Sequence, residues 1–256
     1  EFLTFLKSVL DNPDPALVPK DPGYKPPHRL NHTEYQNTIR DLLGVEYPAS
    51  EKFPADGGGG GGFDNNASTL FLPPLLLERY LEAAEEIVAQ ASEERVHLVK
   101  PGLLTSERSA AAKSIRRFCE RAFRRPVSDE EQNRFIRIYI DSREQGDSHD
   151  AALRGAFRAI LVSPHFLFRI EGGASDSTEP RPLNDYELAS RLSYFLWSSM
   201  PDNELFRLAE RKQLNRPEIL SAQVERMLRD SKARAFTESF VSQWLHVRDL
   251  FRSARP

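Results

Sequence analysis

The chain has 256 residues, of which 39% are hydrophobic, so it is long enough for one large or two smaller globular domains with an ordinary core. It holds 35 Lys and Arg residues against 38 Asp and Glu residues, and a formal net charge of -3 provides no general attraction to nucleic acid or anionic lipid. The single cysteine, Cys119, excludes an intramolecular disulfide, a Cys-rich zinc site and a C-x-x-C-H haem attachment motif in these residues. We therefore expect no nucleic-acid partner and no haem bound covalently within this stretch.

Apolar segments are short throughout the chain. The longest begin at Leu70 and Ala159 and are interrupted by Pro73, Pro74 and Pro164, far below the roughly 20 residues that span a bilayer. We expect no membrane-spanning segment. The chain also opens without Met on an apolar-periodic segment, which we interpret as an excerpt of a longer protein, so the lack of a signal peptide carries no information about its compartment.

Helical spacing of the apolar residues dominates the chain after a loop-rich N-terminal third that is rich in Gly and Pro. The pattern predicts helices over residues 32–43, 73–91, 109–124, 129–145, 149–162, 185–197, 202–210, 216–229 and 231–250. In the last of these we expect Phe236, Phe240, Val241, Trp244 and Leu245 to be buried. No stretch alternates with a period of two, so we expect no sheet beyond one short hairpin. The predicted fold class is all-α, a multi-helix array of consecutive helical modules.

Capping boxes mark several of the predicted helix starts. In this motif a Ser or Asn side chain and a Glu side chain three residues later each accept a hydrogen bond from the other's backbone N–H. The candidate pairs are Asn31 with Glu34, Ser128 with Glu131, Asn184 with Glu187 and Asn215 with Glu218. We expect a helix to begin directly after each Ser or Asn.

The most unusual segment is the glycine-rich loop at residues 56–66. Asp56, Asp64, Asn65 and Asn66 offer hard oxygen ligands on a backbone that can wrap an ion, which suggests a calcium site. Their spacing does not follow the EF-hand pattern, and a flexible loop with Asx turns and no ligand explains the same residues. No Lys-Ser or Lys-Thr pair follows the glycines and no strand precedes them, which argues against a phosphate-binding loop.

Catalytic patterns are lacking: the sequence holds no H-E-x-x-H and no G-x-S-x-G motif. The arginine-rich segment 116–126 fits a docking surface for an acidic partner or a polyanionic glycan. It fits equally a helix with a buried Phe118 and Phe123 stripe and a basic outer face, which we favour. A sugar-stacking platform and ordinary core packing are both open for Tyr194, Trp197 and Trp244.

Several long strings carry a family resemblance: "HRLNHTEYQNTIRDLLG", "FPADGGGGGGFDNNASTLFLPPLLLERYLEAAEEI", "RAFRRPVSDEE", "AILVSPHFLFR" and "PLNDYELASRLSYFLWSSMPDNELFRLAE". These segments resemble the planctomycete-specific domains of unknown function, in the order three, five and four of that series. The resemblance covers residues 29–91, 115–171 and 182–250. Such domains occur in large proteins with c-type cytochrome domains and supply no catalytic residues to carry over.

The resemblance implies a division of the chain into modules. An N-terminal segment (1–28) precedes a first module like domain three (29–92), a linker (93–108) and a second module like domain five (109–171). A second linker (172–181) leads to a third, truncated module like domain four (182–256). The resemblance further implies an extracytoplasmic location, periplasmic or at the cell surface, and a haem c on a missing upstream domain.

Three functional hypotheses follow. We expect a non-catalytic scaffold or interaction region whose partners are other domains of the same longer chain. An alternative is part of an oxidoreductase with its pocket beside the glycine-rich loop, where His32, Asp56, Asp64 and Asn65 are the residues to test. A third is a calcium-binding structural module at that loop. The linker 93–108 is too short for the carbohydrate-binding-like insert of many relatives, which argues against direct glycan binding by these residues.

Overall fold

A computed structural model describes residues 26–56, 63–96, 98–102, 105–172, 181–245 and 247 of the chain. The chain divides into two compact units. One comprises residues 26–171 and 183–256 and contains every helix and strand described below. The other comprises residues 1–25 and 172–182, of which only Gly172, Arg181 and Pro182 are described.

The elements of the larger unit follow the predicted order. They are β1 (His28–Arg29), α1 (His32–Leu43), α2 (Ala49–Lys52), α3 (Pro74–Gln90), α4 (Glu107–Phe123), α5 (Asp129–Glu144), α6 (His149–Leu161), α7 (Pro164–Leu167), β2 (Phe168–Arg169), α8 (Asp185–Trp197), α9 (Asn203–Glu210) and α10 (Pro217–Arg229). A helical stretch of mixed geometry at residues 231–244, which we call the C-terminal segment, follows α10. The all-α prediction is confirmed.

One small sheet is present in the described part of the chain. β1 and β2 pair antiparallel, with His28 opposite Arg169 and Arg29 opposite Phe168. The two strands are far apart in sequence, so the pair is not a hairpin: it joins the start of the first module to the end of the second.

None of the helices in the described ranges is long and apolar enough to cross a membrane.

The predicted capping boxes at Asn31, Ser128 and Asn184 are confirmed, because each shows both reciprocal hydrogen bonds. The box predicted at Asn215 is wrong. Helix α10 begins at Pro217, with Arg216 as its N-cap and no side-chain cap bond. The reason is that proline, with its fixed φ and no N–H, favours the first helical position, which moves the cap one residue beyond Asn215.

The predicted final helix is confirmed in part: residues 231–244 are helical without a break, and Phe236, Phe240 and Val241 are half-buried. Its uniform α-helical geometry, its extension beyond Trp244 and the burial of Trp244 and Leu245 are wrong. The C-terminal segment consists of a 3-10 turn (Ser231–Ala233), a helical turn (Arg234–Phe236), a π-helical turn (Thr237–Val241) and a last helical turn (Ser242–Trp244). Trp244 is 63% exposed and Leu245 55% exposed. The π-helical turn adds a residue to the helix and rotates the following side chains away from the expected face. Residues 248–250 of the predicted helix lie outside the described residues.

The main core joins the three modules. Buried side chains of the first and second modules pack in one cluster with Tyr194 and Met200 of the third. At its centre the ring of Tyr35 contacts four aromatic rings, with centroid distances between 5.1 and 6.3 Å. A second cluster, built around Trp197 and Met227, holds α8, α9 and α10 together. The modules therefore share a core within this unit.

Candidate functional site

A cavity of about 410 Å³ opens between the start of α1, the loop segment 63–66, the end of α8 and the C-terminal segment. We call it the α1–α8 cavity. Its lining combines carboxylates, amides and hydroxyls with aromatic rings: Asn31, Glu34, Phe63, Asp64, Asn65, Asn66, Tyr194, Phe195, Ser198, Ser239 and Phe240. These residues come from the first and third modules, so neither module forms the cavity alone.

Glu34 is the buried carboxylate of this cavity. It accepts a hydrogen bond from the Asn31 N–H at 3.1 Å, while Arg169 Nη2 lies 3.3 Å and His28 Nε2 3.5 Å from its two oxygens. Burial by itself raises the pKa of Glu34, but the charge of Arg169, the contact with His28 and the hydrogen bond from Asn31 together outweigh burial and lower it to about 2. The carboxylate is therefore ionised at physiological pH, which makes it unsuited to act as a general acid.

A chain of buried polar contacts lies behind the cavity. Tyr194 Oη is 2.9 Å from Thr38 Oγ1 and 3.5 Å from Arg124 Nη1. Arg124 ends α4 in the left-handed conformation, with φ of 60°, and its guanidinium donates to the carbonyl oxygens of Phe168 at 2.8 Å and His165 at 3.0 Å. Burial raises the pKa of the Tyr194 hydroxyl, which keeps it neutral.

The segment after the glycines reaches the cavity through Asp64. Its Oδ1 accepts hydrogen bonds from Asn31 Nδ2 at 3.0 Å and Gln243 Nε2 at 3.3 Å, and its N–H donates to Gln243 Oε1 at 2.8 Å. Asn65 lines the cavity with an exposed side chain. Asn66 Oδ1 instead accepts from the N–H and hydroxyl of Ser68 at 3.0 and 2.7 Å, an Asx turn.

Asp56 stands apart from the lining. Its carboxylate accepts from Arg29 Nη2 at 2.6 Å and from the His32 N–H at 2.9 Å, and His32 Nε2 lies 3.5 Å away. The structure thus brings Asp64, Asn65 and Asn66 to one cavity, while Asp56 forms a buried ion pair with Arg29. Glycines 57–62 lie outside the described residues.

A metal site is not formed by acidic, His or Cys side chains alone in the described part of the chain, where no three of them are suitably grouped. The hypothesis of a calcium site at Asp56, Asp64, Asn65 and Asn66 also counts amide oxygens. It therefore stays a prediction.

Aromatic rings form one side of the cavity. Phe63 and Phe240 stack with centroids 5.8 Å apart and an interplanar angle of 22°. Phe195 meets Phe240 edge to face at 5.7 Å and is 54% exposed. Outside the lining, the Trp244 ring also stacks on Phe240, with centroids 6.3 Å apart and an interplanar angle of 17°. Flat apolar faces and hydrogen-bonding groups therefore meet in one space.

The structure decides between the alternatives for two aromatic residues and for the arginine-rich segment 116–126. Trp197 and Tyr194 belong to the core, since both are buried and the Trp197 indole donates to the Met227 carbonyl at 3.0 Å. Of the expected basic outer face, Arg124 is an exception, because it is 4% exposed. It ends α4 in the left-handed conformation, and its guanidinium also donates to the Phe166 carbonyl oxygen at 3.1 and 3.2 Å.

Sequence reasoning missed most of the polar residues behind the cavity. Glu34 was visible only as the capping-box partner of Asn31, and Arg169 and Gln243 carried no signal at all. The one usable signal was Arg124, directly before Arg125-Pro126, because a residue two places before proline in a helix-ending segment is a candidate C-cap.

Three family models match consecutive parts of the chain. PSD3, protein of unknown function (DUF1587), matches residues 28–93; PSD5, protein of unknown function (DUF1595), matches residues 110–171; and PSD4, protein of unknown function (DUF1592), matches residues 183–256. No curated protein and no solved structure is significantly similar to the chain. The order of the matches is the order that the sequence resemblance predicts. The chain therefore belongs to the PSD3, PSD5 and PSD4 families, which it carries in that succession.

Proposed function

We propose that this chain is a helical scaffold region that holds three modules as one body within a longer extracytoplasmic protein. The observation that carries the proposal is the buried network behind the α1–α8 cavity, which takes a residue from each module. Arg124 comes from the second module, Tyr194 from the third and Thr38 from the first.

Further polar contacts support the same role at the edge of this network. Asp41 of the first module accepts from Lys232 Nζ at 2.8 Å and Ser199 Oγ at 2.7 Å, both in the third. Burial by itself raises the pKa of Asp41, but these hydrogen bonds outweigh it and lower the pKa. Arg121 of the second module donates to Asn203 Oδ1 of the third at 2.5 Å. Separation of the modules would leave all these groups without their partners.

Buried charges that pair across the module boundaries hold the modules together. A buried guanidinium or carboxylate that loses its partners costs several kcal/mol, whereas the same group fully hydrogen-bonded costs little. Arg124 finds its acceptors in the second and third modules, and Glu34 of the first module pairs with Arg169 of the second. The modules should therefore fold and unfold together, as a scaffold requires.

Hydrogen exchange along a urea titration tests this proposal. We expect amides of the three modules to lose protection in a single transition, and Arg124→Met to destabilise all three together by at least about 3 kcal/mol. Arg117→Met is the matched control, because Arg117 is exposed on the same helix and forms no ion pair with any residue of the described part. Separate transitions for the modules would count against a scaffold.

The proposal extends to the rest of the protein through the family resemblance. We propose that haem c is carried on an upstream domain and that this chain positions that domain relative to others. The complete reading frame provides the test: we expect an export signal and a C-x-x-C-H motif before these residues. A complete reading frame without an export signal and without a C-x-x-C-H motif would contradict both the extracytoplasmic location and the haem c.

A second candidate function is supported by the α1–α8 cavity. In an oxidoreductase whose haem lies on another domain, this cavity is a suitable substrate pocket, with Asp64 and Asn65 on its wall. The double variant Asp64→Asn and Asn65→Ala in the full-length protein should then reduce turnover of its substrate. Unchanged turnover would exclude this function.

The calcium hypothesis is a third candidate, supported by the placement of Asp64, Asn65 and Asn66 on one cavity. Thermal unfolding with calcium and with a chelator tests it. A site filled at about one hundred times its dissociation constant stabilises the fold by about 2.7 kcal/mol, and Asp64→Asn should abolish the shift. Equal unfolding temperatures in calcium and chelator would dismiss the site.

A further inference from the structure

We infer that the α1–α8 cavity is a binding site for a neutral carbohydrate, holding one or two pyranose rings against its aromatic and polar lining residues. The inference goes beyond the scaffold role and does not depend on it. It rests on the shape, charge and chemistry of the cavity lining.

Three phenylalanine rings line the cavity, and Phe195 is the most exposed of them. The rings of Phe63 and Phe240 stack nearly parallel, and Phe195 stands beside them with more than half of its surface in water. Exposed aromatic rings gain free energy when an apolar surface covers them. The C–H face of a pyranose is flat and apolar, and it matches these rings in extent.

The polar lining residues offer hydrogen-bonding groups with both donor and acceptor capacity. Asn65 has an exposed amide, and the hydroxyls of Ser198 and Ser239, which also line the cavity, lie 3.2 Å apart. Each sugar hydroxyl donates one hydrogen bond and accepts others, so amides and hydroxyls satisfy it on both counts. An alkyl or purely aromatic ligand would leave these groups unsatisfied.

Charge favours a neutral ligand over an ionic one. Among the described residues no Lys, Arg or His side chain lines the cavity, so this lining offers an anionic sugar no counter-charge. Glu34 is neutralised by Arg169 at 3.3 Å and is close to His28, so it supplies little net attraction for a cation. Asp64 Oδ1 already accepts from Asn31 and Gln243.

The loop wall is held in place by hydrogen bonds within the protein. Two hydrogen bonds between Asp64 and Gln243 connect segment 63–66 directly to the C-terminal segment. Ser198 lines the cavity in a left-handed conformation, with φ of 47°, at the end of α8. A wall fixed in advance reduces the entropy that a ligand must overcome on binding.

Calorimetric titration of the 256-residue chain tests the inference. The probes are the neutral disaccharides cellobiose, mannobiose and xylobiose, with digalacturonic acid as the anionic comparison and choline as the cationic one. We expect at least one neutral disaccharide to bind with a dissociation constant of about 1 mM or below. It should bind at least about tenfold more tightly than either charged probe.

Two variants locate the site. Asn65→Ala removes an exposed amide and Phe195→Ala an exposed ring, and each should weaken binding about fivefold or more. The matched controls are Asn133→Ala on α5 and Phe71→Ala, since both residues are exposed away from the cavity. The control variants should bind as the unaltered chain does. The free energy of unfolding of all four variants should stay within about 0.5 kcal/mol of that of the unaltered chain.

Three results would overturn the inference. They are no heat of binding with any neutral disaccharide at about 10 mM, tighter binding of a charged probe, and variants that bind like their controls. None of these bears on the scaffold proposal, which is read from cooperative unfolding alone.

Discussion

The Tyr194 hydroxyl of the third module and the Thr38 hydroxyl of the first lie 2.9 Å apart inside the core, although 156 residues separate them in the chain. The direction of the bond follows from their other partners. Thr38 Oγ1 donates to the Glu34 carbonyl at 2.6 Å, so its proton is committed and Tyr194 must donate to it. The Tyr194 oxygen remains as the acceptor that faces Arg124.

A double-mutant cycle on this pair should show coupling. We expect Tyr194→Phe to destabilise the fold by about 1 kcal/mol, because it removes a buried hydrogen bond without opening a cavity. In combination with Thr38→Val we expect a coupling free energy of about 0.5–1 kcal/mol, measured by urea unfolding. Tyr139→Phe is the control, since its hydroxyl bonds to His149 Nδ1 within the second module. Tyr139→Phe and Thr38→Val should be additive, and equal coupling in both cycles would refute a direct Tyr194–Thr38 bond.

The buried carboxylate of Glu34 predicts a loss of stability in acid. Its pKa is about 2 in the fold, against an ordinary 4.5, so the unfolded chain binds the proton more readily. The stabilisation is fully present above about pH 4.5 and is lost as the pH falls toward 2. We expect a contribution of about 3 kcal/mol from the shift.

Glu34→Gln should remove this part of the pH dependence and lower stability at pH 7. Glu187→Gln is the matched control, because Glu187 holds the same capping-box position in α8. Urea midpoints measured between about pH 7 and pH 2.5 compare the two variants. If stability falls with decreasing pH as steeply in Glu34→Gln as in the unaltered chain, Glu34 is not the source of the acid sensitivity.

Cys119 should be inert in the folded protein. The thiol is buried in α4, and burial raises its pKa to about 12, so almost no thiolate is present at pH 8. We expect a colorimetric disulfide reagent to label it at the rate of unfolding, with fast labelling in denaturant as the positive control. Stoichiometric labelling within seconds under native conditions would contradict the burial of Cys119 in α4.

Lys212 offers a position for stabilisation. It follows α9 with a left-handed φ of 54°, and it is exposed. A side chain in that conformation is strained, whereas glycine adopts it readily, as at many helix C-termini. Lys212→Gly should therefore raise the free energy of unfolding by roughly 0.5–1 kcal/mol, measured by thermal unfolding. Arg211→Gly, at φ of -80°, should lower it instead.

Helix positions were predictable because their determinants are local. The caps at Asn31, Ser128 and Asn184 act over three residues, and apolar spacing acts over four, so a short window contains the whole signal. The failure at Asn215 had a local cause as well, since Pro217 competes for the first helical position. The exposure of Trp244 had no local cause that the sequence shows, because the π-helical turn before it has no marker in the sequence.

The sequence by itself determined the helical fold class, most helix bounds, the succession of modules and the absence of an internal disulfide. Only the tertiary structure decided that Arg124 points inward, that Glu34 pairs with Arg169, and that segment 63–66 contacts the C-terminal segment beside a cavity. The physical reason is distance along the chain. A charge is buried only where its counter-groups are also present, and those of Glu34 and Asp64 include partners well over a hundred residues away.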